Sequence, residues 1–538
     1  MHWNYGDVLD GLARALPADR PALIHEDRVV SLGEFDARSN RLARNLAAQG
    51  IEVGDKVAFY LRNSPAYGEL LAACFKGRFT HVNVNYRYVE DELRYIIDNS
   101  DSTVVAYDDE FAPRIEAIRA TLPGVKLWLH VGGDASSAST ASFEEFASAG
   151  SGEPLEIQRA SDDLLFLYTG GTTGMPKGVM WTHRDQWMAG SAGSSIAAGQ
   201  APPDSIDAHV ANIVSLDQAG VVCPCCPMMH GTGLFTAIGA LAAGNAILTL
   251  SGKSFAADEL FDAVERHGVT GLAIVGDAFA KPMLSALDDQ PERWDISSLA
   301  TVISSGVMWS PEVKQGLLRH NANMVLIDSF GASEAVGFGR SETTADGGTE
   351  IAQFKIGEHC KVFDESFNEI QPGSDQVGFV ARGGALPLGY YKDPEKTAST
   401  FPTINGVRYS IPGDYCQVAA DGTLTLLGRG SACINTAGEK VYPEEVEEVL
   451  KLHPAVADAL VVGVADDKWG QAVTAVVAAE PGQEIDEGQV RDFVRGHLAG
   501  YKTPKRVLNA DFALRAVNGK ADYKTARQFA EQTIQTEA

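Results

Sequence analysis

Over its first 430 or so residues the chain repeats one pattern: an apolar run, a turn bearing Gly or Ser, then helical periodicity. Residues 56–61 and 80–86 read as strands, with a helix over 65–75 between them. The runs 273–275, 300–303 and 324–327 follow the same rule. Ser31 with Glu34 makes a capping-box signature for a helix that buries Phe35, Leu42 and Leu46 and stops at Gly50. This rhythm predicts a layered α/β architecture with largely parallel sheets. Ligands of such sheets lie at the carboxyl ends of the strands, where the turns are.

At 538 residues the chain exceeds what one core holds, and its texture changes near residue 430. A short helix opens at Pro443 with acids in its first turn, where the helix dipole favours them. Two apolar strands follow, over 456–464 and 472–479, then a helix with Val490, Phe493, Val494 and Leu498 on one face. The expected division is 1–430 and 431–538, the second a small α+β domain on a Gly/Ser link. Residues 132–152, rich in Ser, Ala and Gly, read as a mobile surface loop.

The formal charge of −27 argues against nucleic acid and anionic membranes as partners, since both repel it. The N-terminus lacks the basic and apolar regions of a signal peptide, and the apolar region 221–250 is broken by His230, glycines and Asn245. Seven cysteines, an odd number, fit a reducing compartment, so the expected location is the cytoplasm. Cys223, Cys225 and Cys226 lack a second Cys/His cluster at metal spacing and read as buried thiols.

The segment 168–178 carries the strongest chemical signal. It sets Gly170, Gly171, Gly174 and Gly178 among Thr169, Thr172, Thr173 and Lys177, just after an apolar run. Glycines let backbone approach a bulky anion, hydroxyls and amides donate, and the lysine adds charge, which together suit a triphosphate. Pro176 before Lys177 and Gly178 after it exclude a P-loop. Five further motifs follow in order. His230 stands in the small, apolar stretch 227–233, and Ser333 and Glu334 end the segment 328–334. Asp414 sits on a tight turn, Gly428 and Arg429 open the interdomain link, and Lys520 lies near the C-terminus.

These motifs, in this order, resemble the adenylate-forming superfamily of acyl-CoA synthetases, luciferases and peptide-synthetase adenylation domains. The likeness runs from about residue 20 to about 525. Segments 82–94 and 428–446 are more narrowly similar to bacterial synthetases acting on fatty acids and steroid side-chain acids. The resemblance implies an N-terminal body of two helix-flanked sheets plus a small barrel-like part, and a mobile α+β lid. It implies a reaction in which a carboxylate attacks the α-phosphorus of ATP, and the thiol of coenzyme A then displaces AMP. Such a site must supply fixed dipoles and positive charge where charge develops.

By the same resemblance, Thr169, Gly170, Gly171, Thr172, Thr173, Gly174 and Lys177 would hold the β- and γ-phosphates. Ser333 would bind phosphate, and Glu334 would hold Mg²⁺, a hard cation suited to carboxylate oxygen. Asp328, Ser329, Phe330 and Gly331 would flank the adenine, with Phe330 stacking on it, opposite Ser305, Gly306 and Val307. Asp414 and Arg429 would grip the ribose. Lys520 would bridge the acyl carboxylate and the α-phosphate, with Thr173, Glu334 and His230 completing the catalytic set. His230 would gate the acyl pocket from the coenzyme A tunnel, and Gly438 would let the pantetheine arm pass. The family's charged hinge residue is replaced by Ser431, and Asn435 stands where many relatives have Lys. Both changes bear on the thioester step rather than on adenylation.

The acyl pocket would be lined by Met228, Met229, His230, Thr232, Leu234, Gly276, Asp277, Phe279, Val307 and Met308. Small residues there (Gly231, Gly233, Gly276) would leave room for bulk, and Asp277 is open between meeting a polar group of the substrate and capping the next helix. No basic residue in this set pairs with a second carboxylate, so the expected substrate is an apolar monocarboxylate. Adenylation followed by loading of a separate carrier protein is one alternative, and a non-catalytic nucleotide or lipid sensor is another. The oligomeric state is open, a homodimer included.

Overall fold

The computed structural model describes residues 2–132, 140–169, 175–197, 202–216, 219–306, 309–347, 353–357, 359–429, 434–436, 439–466, 470–498, 500–515 and 521–537. The chain divides into two compact units, one of residues 1–351 with 382–410 and one of residues 352–381 with 411–538.

The first unit is built on two sheets. In one, the described strands run in the order Gly389–Tyr390, Lys177–Thr182, Leu164–Thr169, Thr80–Asn83, Lys56–Tyr60, Ser102–Asp108, Leu127–Val131, Thr140–Ser142. All pairs from Leu164–Thr169 onward are parallel, and the two at the other edge are antiparallel. In the other, Ala335–Thr343 lies antiparallel to Val325–Ala332, followed by Thr301–Ser305, Gly271–Ile274, Val221–Pro224, Ala246–Thr249 and Pro21–His25, all parallel, with Arg28–Ser31 closing the edge. Crossover helices such as Pro65–Gly77 and Asp277–Asp289 join parallel neighbours, as the sequence rhythm requires. Buried side chains from strand and helix faces, including Phe59, Phe75, Phe166 and Trp181, make its core. Each such side chain contributes about 1.5–3 kcal/mol by leaving water.

The second unit holds an antiparallel set, with Gly378–Arg382 beside Asp414–Val418, then Thr423–Arg429 and Gln353–Ile356. It also holds a sheet centred on Val456–Asp466 and Gly470–Ala479, covered by helices Pro443–Lys451, Glu487–His497 and Tyr523–Glu537. Val490 and Val494 of the amphipathic helix are fully buried, as its pattern predicts.

Two local expectations need correcting. Ser31 does cap the helix Leu32–Ala48, accepting from the Glu34 N–H at 3.2 Å, but Glu34 turns its carboxylate to Arg28 at 3.7 Å. Only half of the capping box forms. Residues 132–152 are not one loop: Thr140–Ser142 joins the sheet edge and Phe143–Ser148 is helical, because Phe143 and Ala147 have a core to enter. Among the described residues no helix is long and apolar enough to cross a membrane.

Candidate active site

The register of Leu164–Thr169 against Lys177–Thr182 sets Thr169 opposite Lys177, so these two residues face each other at the root of the Gly/Thr segment. Lys177 gives its ammonium to Asp393, the N-cap of helix Pro394–Thr400, which also accepts from the Lys396 N–H at 2.9 Å. That hydrogen bond from Lys177 is the main reason the Asp393 carboxyl lies below the usual range. The phosphate-facing charge expected of Lys177 therefore has a partner already.

Ser333 and Glu334 form the turn between Val325–Ala332 and Ala335–Thr343. The Trp181 indole N–H donates to the Ser333 carbonyl at 2.9 Å, and the Tyr390 hydroxyl donates to Glu334 Oε1 at 2.6 Å. Trp181 lies on the strand that begins at Lys177, and Tyr390 pairs with Val179 of that strand. The acidic turn is thus fixed to the same strand as the lysine. A Cβ on Gly231 would stand 3.2 Å from Leu167 and 4.0 Å from Ser333 Oγ, so the start of helix Gly231–Ala242 adjoins this turn. His230 is the N-cap residue of that helix.

The segment leading to His230 is carried by half-buried and buried polar groups that the sequence pattern did not single out. Asn63 Nδ2 donates to the Pro224 and Cys226 carbonyls at 3.2 and 3.0 Å, and its Oδ1 accepts from the Met228 N–H at 2.7 Å. The Tyr67 hydroxyl donates to the Met228 carbonyl at 3.1 Å and lies 3.0 Å from His81 Nε2. Burial pushes His81 down to about 3, so its ring is neutral there. Asn83 donates to the Met229 carbonyl at 2.5 Å. The Tyr86 N–H donates to Met229 Sδ at 3.3 Å, and the Arg87 guanidinium lies 4.9 Å from the Tyr86 ring centre. An Asn or Tyr at the carboxyl end of an apolar strand or start of a helix was the available signal.

Other candidates gather at the carboxyl ends of the second sheet. Ser305 is in register with Ser329, Gly306 follows with φ +91°, and Ser304 Oγ accepts from the Gly276 N–H at 2.9 Å. Asp328 gives its carboxylate to a buried ion pair with Lys314, and Phe330 packs its ring 5.1 Å from Phe338. Two readings change here, those of Asp277 and of the glycines. Asp277 neither caps its own helix nor stays available, because it accepts from the Ser310 N–H at 3.0 Å and hydroxyl at 2.6 Å. The glycines do not simply leave room. A Cβ on Gly233 would meet the Pro227 carbonyl oxygen at 2.5 Å, and Gly276 has φ +55° with ψ −152°. Met228, Leu234 and Phe279 are buried in the cores, Met229 is buried with them, and Thr232 is half-buried on the first turn of its helix.

In the second unit Asp414 is buried and in register with Arg429 across an antiparallel pair. Gly428 has φ +107°, and a Cβ there would lie 1.9 Å from Glu444 Oε2. Gly170, Gly171, Thr172, Thr173, Gly174, Val307, Met308, Ser431, Gly438 and Lys520 lie outside the described residues, as do the side chains of Arg429 and Asn435. Gly331 lies in the strand Val325–Ala332, two residues before Ser333.

The sequence matches the AMP-binding enzyme family over residues 10–391 and the AMP-binding enzyme C-terminal domain over residues 445–520. It is 40% identical over 539 residues to the 3-oxocholest-4-en-26-oate–CoA ligase of Rhodococcus rhodochrous, covering 98% of this chain and 96% of that one. It is also 40% identical over 534 residues to a medium/long-chain-fatty-acid–CoA/3-oxocholest-4-en-26-oate–CoA ligase of Mycobacterium tuberculosis, with 98% and 96% covered. The crystal structure of ATP-bound MatB from Rhodopseudomonas palustris superposes with a TM-score of 0.81 at 26% identity, covering 99% of this chain and 100% of that one. With the parallel sheets, the Thr169–Lys177 root and the Ser333–Glu334 turn in place, the chain belongs to the AMP-binding, adenylate-forming enzyme family.

Proposed function

We propose that this protein is an AMP-forming acyl-CoA synthetase that joins an apolar monocarboxylic acid to coenzyme A through an acyl-adenylate. The observation that carries the reading is the pinning of the Ser333–Glu334 turn, by Trp181 and Tyr390, to the strand that starts at Lys177. It ties the turn bearing Ser333 and Glu334 to the strand that starts at Lys177, and a hydroxyl, a carboxylate and an ammonium are the groups a nucleotide triphosphate needs. In this reading residues 1–430 are the adenylating body and residues 431–538 the mobile lid that delivers Lys520.

Glu334 fits a divalent cation: one oxygen accepts the Tyr390 hydroxyl, which fixes the carboxylate plane, and the other has no hydrogen bond among the described residues. Magnesium held there would offset phosphate charge. The chain's own part is positional. Tyr390 orients Glu334, Asp393 steadies Lys177 until phosphate competes for it, and the clasp on residues 224–229 sets where the acid meets the nucleotide. Asp414 with Arg429 is assigned to the ribose, and Lys520 to the α-phosphate. ATP, Mg²⁺ and coenzyme A are all supplied by the cytoplasm, which is the proposed location.

The relatives at 40% identity act on steroid side-chain and medium- or long-chain acids by name, and the proposed substrate comes from that class. Incubation with ATP, Mg²⁺, coenzyme A and a panel of fatty and steroidal acids should release AMP and pyrophosphate in step with thioester. Release of ADP would refute the mechanism, and faster transfer to a phosphopantetheinyl carrier than to coenzyme A would change the acceptor.

A further inference from the structure

The strand pair Thr80–Asn83 and Leu164–Thr169 is joined by backbone only at His81↔Leu165 and Val82↔Phe166. One residue further on, the Asn83 side chain replaces the ladder. Its Oδ1 accepts from the Tyr168 N–H at 2.6 Å and its Nδ2 donates to the Tyr168 carbonyl at 3.1 Å. An amide side chain has two donor hydrogens, and the second goes to the Met229 carbonyl at 2.5 Å. Asn83 is 2% exposed, so water cannot substitute for any of the three bonds. A buried, fully satisfied amide holds its partners in one arrangement.

What it holds is specific. Tyr168 precedes Thr169, the residue facing Lys177 at the root of the Gly/Thr segment, and Met229 precedes His230. We propose that Asn83 is a positioning residue that couples the nucleotide side of the site to the acyl side through a single side-chain amide. The proposal rests on the synthetase reading above. Displacement of either segment by its ligand must strain or relax the other, because both hang on one planar group of fixed geometry. Asn63 supplies the contrast: it grips the same 224–228 backbone but has no bond to Tyr168.

The test compares Asn83→Asp with Asn63→Asp, using dodecanoate as the acid and far-UV circular dichroism to verify folding. Turnover of dodecanoate by the unaltered enzyme is established first; its absence, along with that of every acid in the panel, would count against the synthetase reading rather than this one. The Asp at position 83 keeps the acceptor and loses both donors. Asn83→Asp is expected to raise KM for both MgATP and the acid by about tenfold. Asn63→Asp should raise KM for the acid alone. If Asn83→Asp moves only one constant, or if Asn63→Asp moves both as strongly, Asn83 is merely structural and the proposal fails. A measurement on the unaltered protein covers a misfolded variant. Dodecanoate alone should slow amide hydrogen exchange of residues 164–169, and the α,β-methylene analogue of ATP alone should slow it over 225–230. No cross-protection in either direction would overturn the coupling.

Discussion

One strand and the turn after it carry two motif acids with opposite kinds of partner. Asp328, within Val325–Ala332, is buried and paired with Lys314 of helix Pro311–His320. Glu334, six positions later on the turn, meets a neutral hydroxyl and keeps an oxygen free of hydrogen bonds among the described residues. A carboxylate matched by a buried cation is structural, since neither charge can leave without stranding the other. A carboxylate bonded to a neutral hydroxyl has no opposite charge in that partner, so a ligand cation would not have to displace one. Motif spacing alone assigns both acids to the nucleotide; partner identity separates them.

Breaking the buried pair gives the largest effect. Lys314→Met leaves Asp328 charged and buried, and should remove about 3–5 kcal/mol of stability. Denaturant unfolding would register this, while activity per folded molecule stays within a few-fold. If Lys314→Met instead leaves the unfolding midpoint in place and abolishes adenylation, the pair is functional and the contrast with Glu334 is wrong. Next in size is Glu334→Gln, which keeps the shape and removes the charge. The rate of ATP–pyrophosphate exchange should fall by about 10²–10³. Its unfolding midpoint should hardly move, as for substitutions away from the core, within about 0.5 kcal/mol. Equal losses of stability and activity would place Glu334 with Asp328.

The sheets were legible because strand and helix periods differ and each strand ends in a turn residue, as at 303–306 and 327–334. The order of motifs was legible too. What stayed hidden were long-range partners. Nothing local to Asp328 announces Lys314, and nothing near Lys177 announces Asp393, 216 residues away. Gly233 reads as open space until the Pro227 carbonyl is seen against it. Asn83 was visible as a polar residue ending an apolar strand, but its three bonds reach segments 85 and 146 residues off. Side-chain chemistry fixes what a residue can bind, and only packing decides which partner arrives.

Glu447 in the second unit extends the comparison to a buried acid served by neutral donors. Its oxygens accept from the Val461 N–H at 2.8 Å and the Tyr523 hydroxyl at 3.1 Å. Burial, reinforced by Glu444, pushes its carboxyl up to about 8. The unfolded chain releases this proton near pH 4.3, roughly the usual glutamate value, while the folded protein keeps it. Stability from this group is therefore complete at low pH and declines as pH rises toward about 8. Glu447→Gln should flatten that decline, by less than the Lys314 effect because two donors remain. Unfolding curves at about pH 5.5 and about pH 8.5 decide it: an unchanged difference between wild type and variant would mean the acid is ionised throughout.

The smallest effect tests the half-exposed pair of Lys177 and Asp393, whose side chains are 40% and 25% exposed. Such a pair contributes at most about 1 kcal/mol to stability. Asp393 has a second duty as N-cap of Pro394–Thr400, but asparagine caps a helix about as well as aspartate. Asp393→Asn thus removes only the charge facing the lysine. If Lys177 is shared between Asp393 and the phosphates, losing its competitor should lower KM for MgATP by about two- to fivefold, the equivalent of that same fraction of a kcal/mol. Lys177→Met should raise it. An unchanged KM in Asp393→Asn, with Lys177→Met equally silent, would mean that this lysine belongs with Lys314 among the structural cations, and that the Gly/Thr segment holds phosphate through its amides and hydroxyls alone.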